Sequence, residues 1–286
     1  MAIPLRQIKN RIKSVENTRK ITQAMQMVSV SKLNRTQRFL EASRLYYQKL
    51  SFLLGRVVNL YKPGHPFLNP NKSQGLTLIV FTSDSGLCGL YNNNIIRCAQ
   101  DFIHKNPRPE IKLIIVGKKG YNYFKKNKAV KIASAYLGLN GRYSDKLHDD
   151  LIKGALDSFL SGESGEVHIC YTNFKNALHQ NPMAERILSI RAPVSDEPKK
   201  INYITEPGIG EILDSLLKAY LSAQMRFILF SSFTCEHALR GVTMKMATDN
   251  ARELLSNLVL LRNKLRQANI TRDITEIISS AEALKR

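Results

Sequence analysis

The sequence is poor in several residue types, and each scarcity disfavours a class of protein or site. Its 286 residues include no tryptophan and only four cysteines. Cys88, Cys98, Cys170 and Cys235 form no C-x-x-C pair and have apolar neighbours, which favours buried free thiols over disulfides or a zinc site. The six histidines are scattered without ligand spacing. We therefore expect no metal and no cofactor.

Long apolar runs are also missing. No stretch approaches the roughly 18 consecutive apolar residues that a membrane-spanning helix needs. The first ten residues, MAIPLRQIKN, lack the apolar centre of a secretory signal. We expect neither a membrane span nor secretion.

Acidic residues are few, since 43 Lys and Arg stand against 23 Asp and Glu and give a net charge of +20. The excess is concentrated at the start, where residues 1–62 hold 13 basic and 2 acidic side chains, whereas residues 207–286 hold 11 and 8. A strongly basic chain favours an acidic or polyanionic partner. Three interpretations stay open for the basic segment: a solvated helix face, a surface for an acidic protein, or a nucleic-acid surface.

Proline is absent between Pro4 and Pro63 and again after Pro207, which predicts two long helices. At about 1.5 Å per residue, the C-terminal segment 211–286 would extend on the order of 110 Å, too long for a compact domain to enclose. Such a length indicates a coiled coil or a shaft.

Apolar residues on both segments recur at alternating steps of three and four, the coiled-coil period. We predict that the two helices pair side by side and antiparallel. The segment Ile21–Val30 is apolar or small almost all round, so we expect it to be surrounded on several sides. The predicted inner positions are Leu5, Ile8, Ile12, Val15, Thr22, Met25, Val28, Thr36, Leu40, Tyr47, Leu50, Leu54, Val57 and Tyr61 in the first helix, and Leu213, Leu217, Leu221, Ile228, Cys235, Leu239, Val242, Met246, Leu254, Leu258, Leu261, Leu265 and Ala268 in the second.

Between the helices, β-branched runs alternate with helix-compatible segments, which predicts an α/β domain with a partly parallel sheet. A linker rich in Pro, Asn and Gly precedes it, and Asn181-Pro182 indicates a loop within it. The chain is thus divided into residues 1–62, 63–206 and 207–286. The predicted strands are 76–84, 111–117, 130–137, 166–174 and 185–193, and the predicted helices are 92–105, 118–126 and 149–160.

One loop of this domain, Ser83–Gly89 (SDSGLCG), follows a strand and precedes a helix, where backbone N–H groups can bind phosphate. It lacks both the G-x-G-x-x-G spacing and the Lys-Ser/Thr ending of a P-loop. A tight structural turn is therefore favoured over a nucleotide site. A nucleotide-using enzyme remains an alternative that depends on this loop alone.

Three stretches together resemble one family. LRQIKNRIKSVENTRKITQAMQMVSVSKL, SDSGLCG and MATDNARELLSNLVLLRNKLRQANITRDITEIISSAEAL are similar to the gamma subunit of F-type ATP synthase of the bacterial type. The resemblance implies a long antiparallel two-helix coiled coil with an inserted Rossmann-like α/β domain. It also implies a non-catalytic rotor subunit that couples ion flow to ATP synthesis and hydrolysis.

The implied partners are three alpha and three beta subunits, one epsilon subunit and the ring of c subunits, with one copy of this chain per complex and no nucleic acid. The implied place is the cytoplasmic face of the bacterial inner membrane, peripheral and attached through the c-ring. A basic coiled-coil protein that binds nucleic acid is the alternative, although aromatic residues among the N-terminal basic residues are few.

The resemblance also implies contact residues. Lys20, Thr22 and Met25 match the family segment near an acidic lever of beta. Arg266, Gln267 and Thr271 match a segment that contacts beta near its catch loop, and Tyr203 and Glu206 partly match a step near the c-ring and epsilon. Two departures stand out: Ser85 replaces the usual arginine of the loop, and Leu239-Arg240-Gly241 replaces the usual Ala-Arg-Met.

Overall fold

The computed structural model describes residues 5–60, 65–69, 73–127, 130–176, 180–191 and 208–283. In the sequence, one very long helix precedes a five-stranded α/β fold and a second follows it, as the proline distribution predicts. In chain order the elements are α1 Leu5–Leu60, β1 Leu76–Phe81, α2 Tyr91–Lys105, β2 Ile111–Val116, α3 Lys118–Phe124, β3 Lys131–Tyr136, α4 Asp145–Leu160, β4 Glu166–Phe174, β5 Gln180–Leu188 and α5 Ile209–Ala283.

The chain forms two compact units. The first contains Met1–Val28 and Gly241–Arg286, which are the early part of α1 and the late part of α5. The second contains Ser29–Arg240, with the rest of both helices and the α/β elements. Both helices thus contribute to each unit.

Within the second unit α1 and α5 run antiparallel. Phe39 stacks on Phe230 with ring centroids 5.4 Å apart. Further along α1, Tyr47 meets Tyr220, with the two hydroxyl oxygens 3.1 Å apart. As the residue number rises along α1, the number of the contacting residue on α5 falls. This confirms the predicted antiparallel pairing.

The sheet has the order β3-β2-β1-β4-β5. The strands β1 to β4 pair in parallel, and β5 pairs antiparallel with β4 at the edge. Every residue of the central strand β1 is buried. Such a strand reads as a continuous apolar run, because helices cover both faces of the sheet.

Alternate residues of β1 enter two separate cores. Ile79 and Phe81 pack with α4 and with the long helices. Leu78 and Val80 pack on the other face, with α2 and with Phe124 of α3. Between residues 223 and 238 of α5, every position except Arg226 is buried, as expected of a helix that is enclosed on most sides.

The prediction for the last strand is wrong. Asn181-Pro182 does not form a loop, because β5 begins at Gln180 and Pro182 lies opposite Thr172. Proline is tolerated there since β5 is an edge strand, where a missing N–H does not interrupt a ladder. The helix predicted at 149–160 also begins earlier, at Asp145, because Ser144 caps it by accepting a hydrogen bond from the Leu147 N–H.

The predicted seam is wrong at several positions of the first unit. Val28 is exposed. On α5, Met246 is 54% exposed while Met244 and Thr248 are buried. The buried residues continue at Ala251 and Leu258, whereas the predicted inner residues Leu254, Leu261 and Ala268 are exposed. The predicted spacing of three and four residues is correct, but the buried stripe of α5 includes Thr248. A pattern of apolar residues alone does not include this polar position.

Candidate functional site

The helix pair of the first unit is held by small polar residues as well as apolar ones. The Thr248 hydroxyl lies 2.8 Å from the Thr22 hydroxyl, to which it donates, and Thr22 donates to the Arg19 carbonyl at 3.0 Å. Both threonine side chains are buried. Thr22 is therefore in the seam, as its predicted inner position requires, and its predicted contact with beta stays a prediction.

The outer surface of the same segment of α1 is apolar. Ile21, Met27 and Val28 are 60%, 63% and 57% exposed. Met25 is half-buried, and Lys20 is exposed with its amine 3.4 Å from the Glu16 carboxylate. Large exposed apolar side chains that cluster on a surface mark an interaction site. The described residues of the chain do not by themselves surround this segment on several sides, as its composition predicted.

The last part of α5 is a second exposed apolar surface. From Arg266 to Ala281 every residue is exposed. Four isoleucines lie on one side of this helix, at the spacing i, i+4, i+7 and i+8. Arg266 and Gln267 stand one turn before the first of them, so they border the same side. The four are Ile270, Ile274, Ile277 and Ile278, which we name the isoleucine stripe.

The opposite side of this tip is polar. Arg272 and Glu276 form an exposed ion pair at 3.4 Å, and the Thr275 hydroxyl donates to the Thr271 carbonyl. An isolated helix of about 16 residues is only marginally stable in water. A tip with one polar side and one exposed isoleucine stripe is therefore built to lie against another surface.

In the second unit, the loop Ser83–Gly89 is a structural turn. The Asp84 carboxylate accepts hydrogen bonds from the backbone N–H groups of Lys118, Gly138 and Asn140 at 3.0, 3.0 and 2.8 Å. The carboxylate thus ties the loop to the start of α3 and to residues 138–140. These contacts hold three segments of the domain together, as a structural turn does.

Arg240 ties this loop to α5. Its guanidinium lies 3.0 Å from the Ser85 hydroxyl, 3.3 Å from the Ser85 carbonyl and 3.4 Å from the Gly86 carbonyl. It also lies 2.8 Å from the carboxylate of Glu236, which is 2% exposed. Burial raises the pKa of the Glu236 carboxyl above its ordinary range, and Arg240 opposes this shift. Arg240 therefore bridges a buried charge on the helix and the turn of the α/β domain.

The two remaining predicted contact residues, Tyr203 and Glu206, lie outside the described residues. All four cysteines are free, with Cys88, Cys170 and Cys235 buried and Cys98 half-buried, which confirms the interpretation from their neighbours except at Cys98. In the described ranges, no group of His, Cys, Asp and Glu side chains could hold a metal ion.

Among the residues that the structure describes, no helix is both long and apolar enough to cross a membrane.

Sequence reasoning did not identify Glu236 and Arg240 as a site. Their spacing of four along a helix is typical of an exposed ion pair. The neighbours Thr234, Cys235 and Ala238 are small and buried, and they were the available sign that this turn of α5 is enclosed. The loop partners of Arg240 lie about 155 residues away in sequence, a separation that no local pattern reveals.

Along nearly its whole length, the chain is similar to known proteins. A family model described as ATP synthase matches residues 4–284. The ATP synthase gamma chain of Clostridium perfringens strain 13 is 36% identical over 282 residues, which are 98% of each chain. That of Symbiobacterium thermophilum is 35% identical over 290 aligned positions that cover both chains completely.

Solved structures share the fold. The central stalk and c-ring of the Tetrahymena thermophila mitochondrial ATP synthase contains a chain with a TM-score of 0.57 and 22% identity, over 79% of this chain and 99% of that one. The rotor of the Euglena gracilis mitochondrial ATP synthase contains a chain with a TM-score of 0.64 and 16% identity, and the match covers 93% of this chain and 98% of that one.

Nothing in these comparisons favours a nucleic-acid-binding coiled coil. The chain belongs to the gamma-chain family of ATP synthase, as a non-catalytic rotor subunit of the central stalk.

Proposed function

We propose that one copy of this chain turns inside a ring of three alpha and three beta subunits, with the tip of α5 enclosed by that ring. The observation that carries the proposal is the isoleucine stripe on a helix whose residues are exposed from Arg266 to Ala281. Fully burying an isoleucine stabilises a contact by about 1.5–3 kcal/mol. The four side chains are 50–69% exposed, so a surrounding sleeve would gain roughly half to two thirds of that free energy at each position.

The mechanism follows from the asymmetry of the shaft. One apolar stripe faces one direction, so three equivalent catalytic subunits would meet three different surfaces at any moment. A surface can change the nucleotide affinity of a site only through contacts that differ between its conformations. Rotation would present each surface to each site in turn, so the three affinities would change in sequence.

The α/β elements serve as the foot of the shaft in this proposal. The foot would lie on the ring of c subunits beside epsilon, on the cytoplasmic face of a bacterial inner membrane, with Tyr203 and Glu206 near the ring. Torque would enter through the foot and reach α5 through the Arg240 contacts with Ser85 and Gly86. The division into residues 1–62, 63–206 and 207–286 describes these functional parts.

Met25→Lys is expected to impair coupling more than folding. Met25 is half-buried beside the exposed apolar surface of α1, and a new cation there could pair with the acidic lever of beta. A charge-assisted hydrogen bond of about 1–3 kcal/mol would have to break on each turn. The measurement is protons pumped per ATP hydrolysed in membrane vesicles, which should fall. Met25→Leu, close in volume, should keep the ratio, and an unchanged ratio in Met25→Lys would refute the expectation.

Arg266→Ala combined with Gln267→Ala is expected to lower torque and the ATPase rate of the complex. Both residues are exposed, so the isolated chain should unfold at the same denaturant concentration. The charged contact to beta would contribute about 1–3 kcal/mol and the neutral one near 1. Single-molecule rotation under viscous load measures the torque. Deleting residues 282–286 is the control and should have little effect, since terminal residues make few contacts.

A tag on this chain tests the assembly. Native mass measurement of the complex purified through that tag should give one copy of this chain with three alpha and three beta subunits, epsilon and the c-ring. Recovery of the chain alone, or of two copies in one complex, would overturn the proposal.

A further inference from the structure

A cavity of about 750 Å³ lies in the second unit, between α1, α5 and the turn that precedes α4. Its volume is in the range of small-molecule sites, about 300–1,000 Å³. The lining is neither uniformly apolar nor balanced in charge. Four cations, four aromatic rings and one carboxylate contribute to it.

The cations of the lining lack anionic partners. In the part of the chain that the structure describes, none of Lys32, Arg35, Arg142 and Arg226 forms an ion pair with a carboxylate. Lys32 instead donates to the Asn140 carbonyl at 3.3 Å. Burial, together with the charges of Arg142 and Arg240, lowers the pKa of the Lys32 amine. An added anion would relieve this crowding of positive charge.

One carboxylate stands against the four cations of the lining. Asp145 accepts a hydrogen bond from the Tyr143 hydroxyl at 3.0 Å. The buried carboxylate of Glu236, whose charge acts against the lowering of the Lys32 pKa, is paired with Arg240. Positive charge therefore remains in excess around the cavity.

The aromatic residues of the lining present ring faces. Phe230 stacks between Phe39 and Tyr143, with ring centroids 5.4 and 4.7 Å away. Phe39 is 48% exposed and Tyr46 is 57% exposed. Exposed ring faces beside unpaired cations suit a ligand that has both a flat ring system and negative charge.

A buried histidine adds a polar group to the lining. The Nε2 atom of His237 lies 2.9 Å from the Gly141 carbonyl, to which it donates. Nδ1 is then an acceptor, and it has no hydrogen-bond partner among the described residues although His237 is 1% exposed. Burial lowers the pKa of this imidazole to about 4, so it is neutral at pH 7. Because Nδ1 is itself enclosed, His237 contributes a neutral ring to the lining and no hydrogen-bond acceptor for a ligand.

We propose that this cavity binds a nucleoside phosphate, with the base against Phe39 and Tyr46 and the phosphates at Lys32, Arg35 and Arg142. Nucleoside phosphates combine a flat ring and several negative charges. The proposal goes beyond the rotor function and does not depend on it. The site is distinct from the turn Ser83–Gly89, whose Asp84 carboxylate is hydrogen-bonded to the N–H groups of Lys118, Gly138 and Asn140.

Equilibrium dialysis of the full chain with ATP, adenosine and inorganic triphosphate tests the proposal. ATP should bind at one saturable site, with a dissociation constant near or below about 1 mM, and about tenfold more tightly than either fragment. Arg35→Ala and Arg142→Ala change exposed residues and should each weaken ATP and triphosphate about tenfold. Phe39→Ala should weaken ATP and adenosine about tenfold and leave triphosphate unchanged.

Lys119→Ala is the matched control. Lys119 is an exposed lysine that lies beside Gly86 of the turn Ser83–Gly89 and is not part of the cavity lining. It should bind ATP like the unchanged chain. Three results would overturn the proposal: no saturable binding of ATP, triphosphate binding as tight as ATP with no effect of Phe39→Ala, or loss of binding in Lys119→Ala but not in Arg142→Ala.

Discussion

Arg240→Ala is expected to lower the free energy of unfolding by about 3–5 kcal/mol, because it leaves a buried charge without a partner. The Glu236 carboxylate is 2% exposed and has the Arg240 guanidinium 2.8 Å away. The same change removes the hydrogen bonds to Ser85 and Gly86. Urea unfolding of the isolated chain at pH 7 measures the loss as a lower transition midpoint.

An exposed ion pair on the same helix provides the control for Arg240. Arg252 lies 3.1 Å from Asp249, and both side chains are more than half exposed. Arg252→Ala should cost at most about 0.5 kcal/mol. Replacing both Glu236 and Arg240 by Met should recover part of the loss, since neither charge then stays buried. Equal midpoints for Arg240→Ala and Arg252→Ala would show that the Arg240 bridge does not stabilise the fold.

Ile274→Asp combined with Ile277→Asp is expected to leave the isolated chain as stable as before and to impair the complex strongly. The two side chains are already 52% and 69% exposed. In the enclosed tip each substitution would lose about 0.8–2 kcal/mol of apolar burial and would also bury a carboxylate, at a further cost of several kcal/mol if it has no partner. A loss of about 3 kcal/mol or more corresponds to at least a hundredfold shift from the docked to the free tip. The measurements are the urea midpoint of the chain and the torque and ATPase rate of the complex.

The opposite face of the tip supplies the matched control for charge. Thr275→Asp combined with Ser279→Asp adds two carboxylates to the same exposed stretch of helix, away from the isoleucine stripe. This variant should keep most of the torque. If both double variants lost torque equally, the added charge and not the stripe would explain the effect.

The sequence predicted most of the fold because the main elements depend on local patterns. β4 is correct at both ends, and β1 and β2 are correct to within a few residues, since each is a β-branched run. The two long helices follow from the absence of proline. β5 was misplaced because Pro182 was taken as the sign of a loop. An edge strand tolerates proline, and the position of a strand at the edge is a property of the whole sheet.

The functional surfaces were only partly predictable. The resemblance implied that Arg266 and Gln267 contact beta, while the exposure of the four isoleucines became visible only in the structure. The register of α5 was missed because Thr248 takes an inner position through its hydrogen bond to Thr22. The Arg240 bridge joins residues about 155 apart, and its role depends on burial that no local pattern fixes.

Rotation of this chain within the working enzyme tests the central claim most directly. Lys153 is an exposed residue of α4 in the foot, and Lys153→Cys provides an attachment point for a bead, with the half-buried Cys98 changed to Ala. With the alpha and beta subunits fixed to a surface, ATP should drive the bead in one direction in steps of about one third of a turn, as three catalytic subunits require. ATP hydrolysis that continues at its normal rate while the bead stays still would contradict the account.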